Sequence, residues 1–358
     1  MGKEIGSYFF DYKDFKNENN PKVLLTENFK YKAYLSSGRD AIKLAIKEIN
    51  GAKRALLPGF TCETVIKPFI AAGFEVSFYD INKDLTVNVN EFVNKINENK
   101  PSIILVHSYF GFDTLKNIRH ILKKIGESEI VLIEDITQDM YSNFPKEEAN
   151  YLVGSLRKWM AIPDGGFLFS KDIEIKGDKN LNTNNKLVEY NLKAFKKKSL
   201  YMENGNKDLK NEFRALFENG IMEMEEWNAI YKISPISKRI YNGLNVEYMK
   251  MQRKLNYKFL LENIKNFKNI KPILTNITLE VVPLYFPVLI DKSREEIQSK
   301  LASKKIYCPV IWPMSKYPIS KINDDTEYVY NHILCIPCDQ RYDINDMKRI
   351  VKEIEKLL

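Results

Sequence analysis

Lys158 stands in a short basic loop, Gly154-Ser155-Leu156-Arg157-Lys158-Trp159, which precedes a Gly-Gly turn and an apolar run. A lysine amine acts as a nucleophile only when it is partly neutral, and burial or a neighbouring cation favours the neutral form. Arg157 is such a cation, and Ser155 is close enough to share an anionic ligand. The loop therefore fits covalent catalysis, and an ordinary basic turn is the alternative.

A second loop, Ser36-Ser37-Gly38-Arg39-Asp40, directly precedes a stretch with the apolar spacing of a helix, residues 41–49. The N-terminus of a helix presents backbone N–H groups at the positive end of its dipole, which suits a phosphate. Arg39 can add a charge-assisted contact. Plain helix capping by Ser36 or Ser37 is the alternative.

The third loop follows an apolar run and reads Val131-Leu132-Ile133-Glu134-Asp135-Ile136-Thr137-Gln138. A carboxylate at the end of a strand can pair with a protonated ring nitrogen and so make the ring an electron sink. Gln138 can hydrogen-bond a neighbouring ring oxygen. A carboxylate without function at a strand-to-loop junction is the alternative.

The order and spacing of the three loops resemble pyridoxal-phosphate (PLP) enzymes of fold type I, and more narrowly the DegT-type family of sugar aminotransferases. The resemblance covers most of the chain from about Tyr34 onward, with residues 172–225 unmatched. Its motifs are SSGRDAIKLAI, LLPGFTCETV, AAGFEVSFYDIN, VHSYFGF, IEDITQD, GSLRKW and PDGG, with CPVIWP and ILCIPCDQRY more weakly.

The resemblance implies PLP as the cofactor and Lys158 as the residue that forms the Schiff base and then moves the proton. It implies that Asp135 binds the pyridine nitrogen and that Gln138 lies near the ring hydroxyl. The phosphate would be held by Ser37, Gly38, Arg39 and Ser155.

Four positions depart from the family pattern and indicate a divergent branch. The family often has Thr where Arg39 stands, and it spaces its serine and lysine further apart than Ser155 and Lys158. An aromatic residue usually stacks on the ring at the position of Cys62, so either this thiol or a neighbouring ring takes its place. Ile230 stands where a partner-subunit asparagine commonly reaches the phosphate.

Other residues are weaker candidates. His107, Tyr109 and Trp312 are candidates for substrate binding, with a structural histidine and core aromatics as the alternatives. No metal site is expected, because the three histidines are scattered along the sequence. Cys335 and Cys338 resemble a metal or redox pair but have no second pair, and residues three apart on a strand point to opposite faces.

Apolar runs alternate with helix-like stretches, which predicts an α/β fold with a mainly parallel sheet. Predicted strands are residues 54–57, 75–79, 102–107, 130–134, 166–170, 280–289, 307–311 and 332–336. Predicted helices are residues 41–49, 64–72, 115–125, 247–267, 293–304 and 344–357. We expect a large PLP-binding domain over 1–250, with an exposed, lysine-rich insertion at 172–225, and a small C-terminal α/β domain over 251–358.

The composition, with 44% hydrophobic and 12% aromatic residues, is that of a globular protein. A net charge of +8 favours anionic ligands, but no nucleic-acid-binding motif is present. We find no apolar run long enough to span a membrane and no secretory signal, and four cysteines make no disulfide framework. The expectation is a cytoplasmic protein without nucleic-acid or membrane partners.

By resemblance, we expect the reaction to be transfer of an amino group from an amino acid such as glutamate to a keto sugar linked to a nucleotide. The pathways implied are surface polysaccharide or secondary-metabolite biosynthesis, and a homodimer with shared active sites is implied as well. Two alternatives stay open. One is a PLP-dependent sugar dehydratase, which the presence of Lys158 disfavours, and the other is a non-catalytic protein that regulates or binds partners.

Overall fold

The computed structural model describes residues 3–10, 29–47, 49, 51–146, 148–177, 179–225, 229–291, 293–315, 317 and 322–357. The chain packs as two units. The first comprises Met1–Ser7, Asn50–Asn150 and Glu247–Leu358, and the second comprises Tyr8–Ile49 and Tyr151–Val246. In the described part of the chain, no helix has both the length and the apolar character needed to cross a membrane.

The strands are β1 Ile5–Gly6, β2 Tyr31–Leu35, β3 Arg54–Pro58, β4 Glu75–Tyr79, β5 Ile103–Val106, β6 Val131–Asp135, β7 Tyr151–Ser155, β8 Gly166–Ser170, β9 Ile270–Pro272, β10 Phe286–Ile290, β11 Ile306–Tyr307 and β12 Ile333–Ile336. The helices are α1 Gly38–Lys47, α2 Glu63–Ala71, α3 Val89–Asn99, α4 Arg119–Gly126, α5 Asn185–Asn204, α6 Lys207–Glu225, α7 Pro235–Asn242, α8 Val246–Ile264, α9 Arg294–Ser303, α10 Asp324–His332 and α11 Ile344–Glu355.

The first unit contains four parallel strands in the order β4-β3-β5-β6. Helices α2, α3 and α4 connect them in sequence, as parallel pairing requires. The central strand β5 is apolar and buried along its whole length, so both faces of the sheet are covered. Because the strands are parallel, the residues that follow β3, β5 and β6 lie at one edge of this sheet.

The C-terminal part of the first unit has its own antiparallel sheet, β9-β10-β12. Its core includes Tyr257 and Leu260 of α8, Val288 of β10 and Ile350 of α11. Strand β10 begins at Phe286, later than the predicted residue 280, because the preceding backbone bonds elsewhere. Val282 N donates to Ser142 Oγ at 2.9 Å, and Pro283 has no N–H to donate.

The second unit contains the antiparallel strands β2-β8-β7, against which α1 packs. Strands β2 and β7 were not predicted from the sequence. Helices α5 and α6 pack against each other around buried residues, which are Ala194, Phe195, Tyr201, Phe213 and Phe217.

The prediction that 172–225 is an exposed insertion with a solvated lysine run is wrong at Lys198, which is 1% exposed. Its ammonium donates to the Tyr8 carbonyl and lies 5.1 Å from the centroid of the Phe10 ring. The lysine is buried because its position on α5 faces α6, where its ammonium group lies over the ring of Phe213.

The predicted α/β class is confirmed, and the parallel sheet lies in the first unit. The predicted boundary between residues 250 and 251 lies near Glu247, where the chain returns to the first unit. The division into domains over 1–250 and 251–358 stays a prediction.

Candidate active site

Ser37 ends the turn before α1 and caps this helix. Its hydroxyl accepts the backbone N–H of Asp40 at 3.1 Å and donates to Asp40 Oδ2 at 2.9 Å. The capping role considered for Ser37 is therefore present. This cap does not occupy the position beyond the N-terminus of α1, at the positive end of the helix dipole, where an anion is stabilised.

The loops that contain Ser37 and Lys158 lie together in the second unit, at backbone distance. A Cβ atom placed on Gly166 would lie 2.2 Å from the carbonyl carbon of Ser37, and one on Gly38 would lie 3.3 Å from Ser155 Cβ. Gly165 N also donates to the Ser36 carbonyl at 2.6 Å. The structure thus brings together two of the three predicted loops through glycines that permit this approach.

Two arginines and one buried aspartate surround this cluster. Burial lowers the pKa of Arg157 to about 10, and the charge of Arg39 contributes in the same direction. Asp164 is fully buried, which raises the pKa of its carboxyl group. Asp164 Oδ1 accepts the hydroxyl groups of Ser234 and Ser237, each at 2.5 Å. The carboxylate is therefore already hydrogen-bonded within the second unit.

Lys158 ends a short 3₁₀ helix, Leu156–Lys158, that follows β7. Trp159, the next residue, is fully buried and anchors the turn, whereas Lys158 is exposed. The structure therefore lacks the burial that the predicted activation of this lysine requires.

In the first unit, Asp135 and Gln138 follow the end of β6, and both are buried. Asp135 Oδ1 accepts the backbone N–H of Thr137 at 2.9 Å. Gln138 Oε1 accepts the backbone N–H of Phe110 at 3.0 Å, which fixes the orientation of the amide. Its Nε2 is buried and has no hydrogen-bond partner among the described residues. This N–H group can donate to a ring oxygen of a ligand.

His107 follows β5 and is buried beside aromatic rings. Its Nε2 lies 3.1 Å from Thr61 Oγ1, and its ring meets that of Trp312 edge-on at 5.5 Å between centroids. Burial lowers the pKa of His107 to about 3, so the imidazole is neutral at physiological pH. Tyr109 is buried as well, and its hydroxyl donates to the Phe60 carbonyl at 2.7 Å, which places this candidate in the core.

The cysteines have separate surroundings. Cys62 is half-buried at the N-terminus of α2, with Sγ 3.0 Å from Thr64 Oγ1. Cys335 and Cys338 are fully buried, and burial raises the pKa of both thiols. They pack into different hydrophobic clusters, and the described residues contain no group of three or more His, Cys, Asp or Glu placed to hold a metal.

Sequence reasoning missed the residues that support the candidates. Thr61 fixes His107, and Asp164 organises Ser234 and Ser237 behind the loops of the second unit. The only signal for Asp164 was its place in the PDGG motif. No local pattern indicated the two serines, which come from a segment 70 or more positions further along the chain.

The model of the DegT/DnrJ/EryC1/StrS aminotransferase family matches residues 27–198. The fold resembles Helicobacter pylori PseC, an aminotransferase involved in the biosynthesis of pseudoaminic acid, with a TM-score of 0.70 and 11% identity over 99% of this chain and 98% of that one. It also resembles the sugar aminotransferase CalS13 from Micromonospora echinospora, with a TM-score of 0.64 and 14% identity over 99% of both chains.

A third solved structure with this fold is the PLP form of the putative sugar aminotransferase Spr1654 from Streptococcus pneumoniae. It has a TM-score of 0.66 and 14% identity over 99% of this chain and 100% of that one. No curated protein sequence matches the chain. At these identities the structures establish the fold alone, and the predicted fold type I architecture is confirmed.

Proposed function

We propose that this chain is a divergent member of the DegT/DnrJ/EryC1/StrS aminotransferase family and a PLP-dependent sugar aminotransferase, and that it moves the amino group of an amino acid such as glutamate to a nucleotide-linked keto sugar. The observation that carries this proposal is the backbone contact between the serine–glycine loop and the Lys158 loop in the second unit. A lysine next to a helix-terminal anion site is what a phosphorylated aldehyde requires.

The residues present fit this cofactor. In the second unit, Gly38 and Gly166 allow the loop at the start of α1 to approach the strand ends without side chains in between. In the first unit, the buried Nε2 of Gln138 needs an acceptor, and a ring oxygen can supply one. Asp135, buried at the end of β6, offers a carboxylate for a cationic nitrogen.

PLP supplies, when bound, an aldehyde that takes up the amino group and a ring that accepts electrons. In the proposal, the Asp135 carboxylate would hold the proton on the ring nitrogen, and Gln138 Nε2 would donate to the neighbouring ring oxygen. Lys158 would be the amine that holds the aldehyde covalently, and its amino group would serve as the base and acid that moves a proton. The phosphate is bound by Ser37, Gly38, Arg39 and Ser155.

The substrate side of the proposal involves His107 and Trp312. The neutral His107 is held by Thr61 and faces Trp312, so this pair can present a polar edge and an apolar face to a sugar. Cys62 is proposed to take the place of the stacking aromatic residue. Tyr109 is proposed to support these side chains from the core, since its hydroxyl is already bonded.

The absorption spectrum of the purified protein tests the proposal. We expect a visible cofactor band in the wild type that glutamate bleaches, and no such band in Lys158→Ala. The matched control is Lys186→Ala, which removes an exposed lysine of the same unit and should leave the band unchanged. A wild type that stays colourless after incubation with PLP would contradict the proposal.

Substrate assignment follows from the form of the enzyme that has already taken up the amino group. This aminated enzyme is mixed separately with nucleotide-linked keto sugars, free keto sugars and simple keto acids. We expect its original absorption band to return fastest with the nucleotide-linked keto sugars. Return of the band with keto acids alone would exclude a sugar as the acceptor. Loss of a hydroxyl group without net transfer of the amino group would indicate the dehydratase.

We also propose that the enzyme is a cytoplasmic homodimer that serves surface-polysaccharide or secondary-metabolite biosynthesis. Its two domains are proposed to span 1–250 and 251–358. Light scattering coupled to size-exclusion chromatography tests the dimer, and a monomeric active enzyme would refute it. Expression of 1–250 alone tests the boundary, since an independent domain should fold cooperatively.

A further inference from the structure

We infer that Arg157 is a phosphate ligand, whose guanidinium group, next to that of Arg39, binds the phosphate of the cofactor and makes the enzyme select the phosphorylated form. This inference rests on the proposed function. It adds to the serine–glycine loop a residue that the family pattern did not indicate, directly before Lys158.

The first support is a missing partner. Arg157 Nε is buried and has no hydrogen-bond partner in the part of the chain that the structure describes. A buried donor without an acceptor is costly, and more so when it belongs to a charged group. A ligand anion would remove that cost, because a guanidinium group binds phosphate oxygens through two parallel N–H groups.

The second support is that the nearest carboxylates are bonded to other groups. Asp164 Oδ1 accepts the hydroxyl groups of Ser234 and Ser237, and its Oδ2 accepts Ser234 N at 2.9 Å. Asp40 accepts the Ser37 hydroxyl and lies 3.7 Å from Lys43 Nζ. Neither carboxylate forms an ion pair with Arg157 within the described residues.

The third support is the second positive charge. Arg39 repels Arg157 and contributes, after burial, to its lowered pKa. One N–H of Arg39 donates to the Met224 carbonyl, which holds the guanidinium group in place. Two neighbouring cations at the start of a helix favour a doubly charged anion over a singly charged one. This favours a phosphate over the carboxylate of the amino donor.

The fourth support is position. Arg157 lies between Ser155 and Lys158, and Ser155 Cβ would be 3.3 Å from a Cβ on Gly38. An anion bound by the N-terminus of α1 is therefore close to the turn that carries Arg157.

The test compares PLP with pyridoxal, which has the aldehyde and the ring but no phosphate. Cofactor-free wild type, Arg157→Gln, Arg157→Lys and Arg39→Thr are titrated in phosphate-free buffer, and binding is followed by protein fluorescence. We expect Arg157→Gln to bind PLP roughly 10- to 100-fold more weakly and pyridoxal as the wild type does. Arg157→Lys, which keeps the charge and loses the fork, should lie between, and Arg39→Thr should show a smaller loss.

Inorganic phosphate alone gives a readout that does not depend on catalysis. Millimolar phosphate should raise the melting temperature of the cofactor-free wild type but not that of Arg157→Gln. In phosphate-free buffer Arg157→Gln should be at least as stable as the wild type, because the substitution removes a charged group whose Nε is buried without a hydrogen-bond partner among the described residues. If Arg157→Gln does not fold, Arg157→Lys carries both measurements.

An equal loss of PLP and pyridoxal affinity would overturn the inference and indicate a structural role. An increased KM for the amino donor with unchanged PLP affinity would also overturn it, and would assign Arg157 to the donor carboxylate. A wild type that binds no PLP would contradict the proposed function instead, and the phosphate titration would then still decide whether Arg157 binds an anion.

Discussion

Both carboxylate oxygens of Glu134 lie 3.1 Å from Nη1 of Arg119. Arg119 also reaches Asp113 through Nη2 at 3.1 Å. Glu134 therefore belongs to a buried ion-pair network, whereas its neighbour Asp135 bonds to the backbone of the following turn. Successive side chains of a strand point to opposite faces, so the acidic pair of the sequence separates into a structural carboxylate and a candidate cofactor ligand.

Replacing Glu134 by Gln should lower the free energy of unfolding by about 2 kcal/mol, because Arg119 loses one charged partner in the interior but keeps Asp113. Urea unfolding measures this loss. The cofactor band should persist in the folded protein.

Asp135→Asn is the matched comparison, one residue further along the strand. It should unfold within about 1 kcal/mol of the wild type and lose roughly 100-fold or more in activity, since an amide cannot hold the proton on the ring nitrogen. If the two substitutions behaved alike, the separation of the acidic pair would not hold.

His107 should make the protein sensitive to mild acid. Its pKa is lowered to about 3 in the folded protein, against about 6.5 in the unfolded chain. The unfolded chain therefore takes up a proton first, so the stabilisation is complete above about pH 6.5 and is lost as the pH falls toward 3. At pH 5 the loss is about 2 kcal/mol.

His107→Gln, which cannot take up this proton, removes that part of the pH dependence. Urea unfolding gives the free energy of unfolding of the wild type and of His107→Gln at pH 7.5 and pH 5. We expect the wild type to lose more of this free energy at pH 5, so that the difference in stability between the two proteins becomes smaller or changes sign. Parallel losses in the two proteins would show that His107 is protonated in the folded state.

Gly166→Ala should disrupt the loop of Ser37, because the new methyl group would lie 2.2 Å from the Ser37 carbonyl carbon. We expect the free energy of unfolding to fall by roughly 2 kcal/mol and PLP affinity to fall with it. Gly243→Ala is the control, since its methyl group would meet only ordinary contacts at 3.6 Å and beyond. Unchanged PLP binding in Gly166→Ala would separate the loop from the cofactor.

Lys198→Ala should destabilise the protein by about 2 kcal/mol, as the substitution removes a buried stem and its bond to the Tyr8 carbonyl. Lys197→Ala, at the adjacent and more exposed position, should change stability by less than about 0.5 kcal/mol. Thermal unfolding of both variants measures the contrast. Similar melting temperatures would mean that Lys198 contributes no more than a surface lysine.

The sequence predicted the parallel strands well because their signal is local. β4 begins and ends as predicted, as does the antiparallel β8, and the ends of β5 and β6 each differ by one residue from the prediction, since apolar runs need no distant partner to be recognised. Strand β2 was missed because Tyr31–Leu35 has only five residues and Lys32 interrupts its apolar positions. Strand β7 was missed because its end belongs to the motif around Ser155.

The candidate site could be predicted only as far as its motifs extend. Ser37, Asp135 and Lys158 were proposed from residue types and spacing and stay predictions, and two of the three loops are neighbours within one unit. The burial of Lys198 could not be predicted, because an amphipathic lysine run and a solvated one share the same composition. The exposure of Lys158 was equally invisible, since it depends on how the turn after β7 is directed.

The contact of Gly166 with Ser37 is made by main-chain atoms on one side and by the absence of a side chain on the other. The shape of the loop is therefore specified by glycines and strand ends, and not by the side chains that differ from the family pattern. Arg39 can therefore replace the threonine of the family, and the serine can lie nearer to Lys158, while the main-chain shape of the loop is preserved. Such a site can diverge in how it holds its anion long before it loses the place where the anion is held.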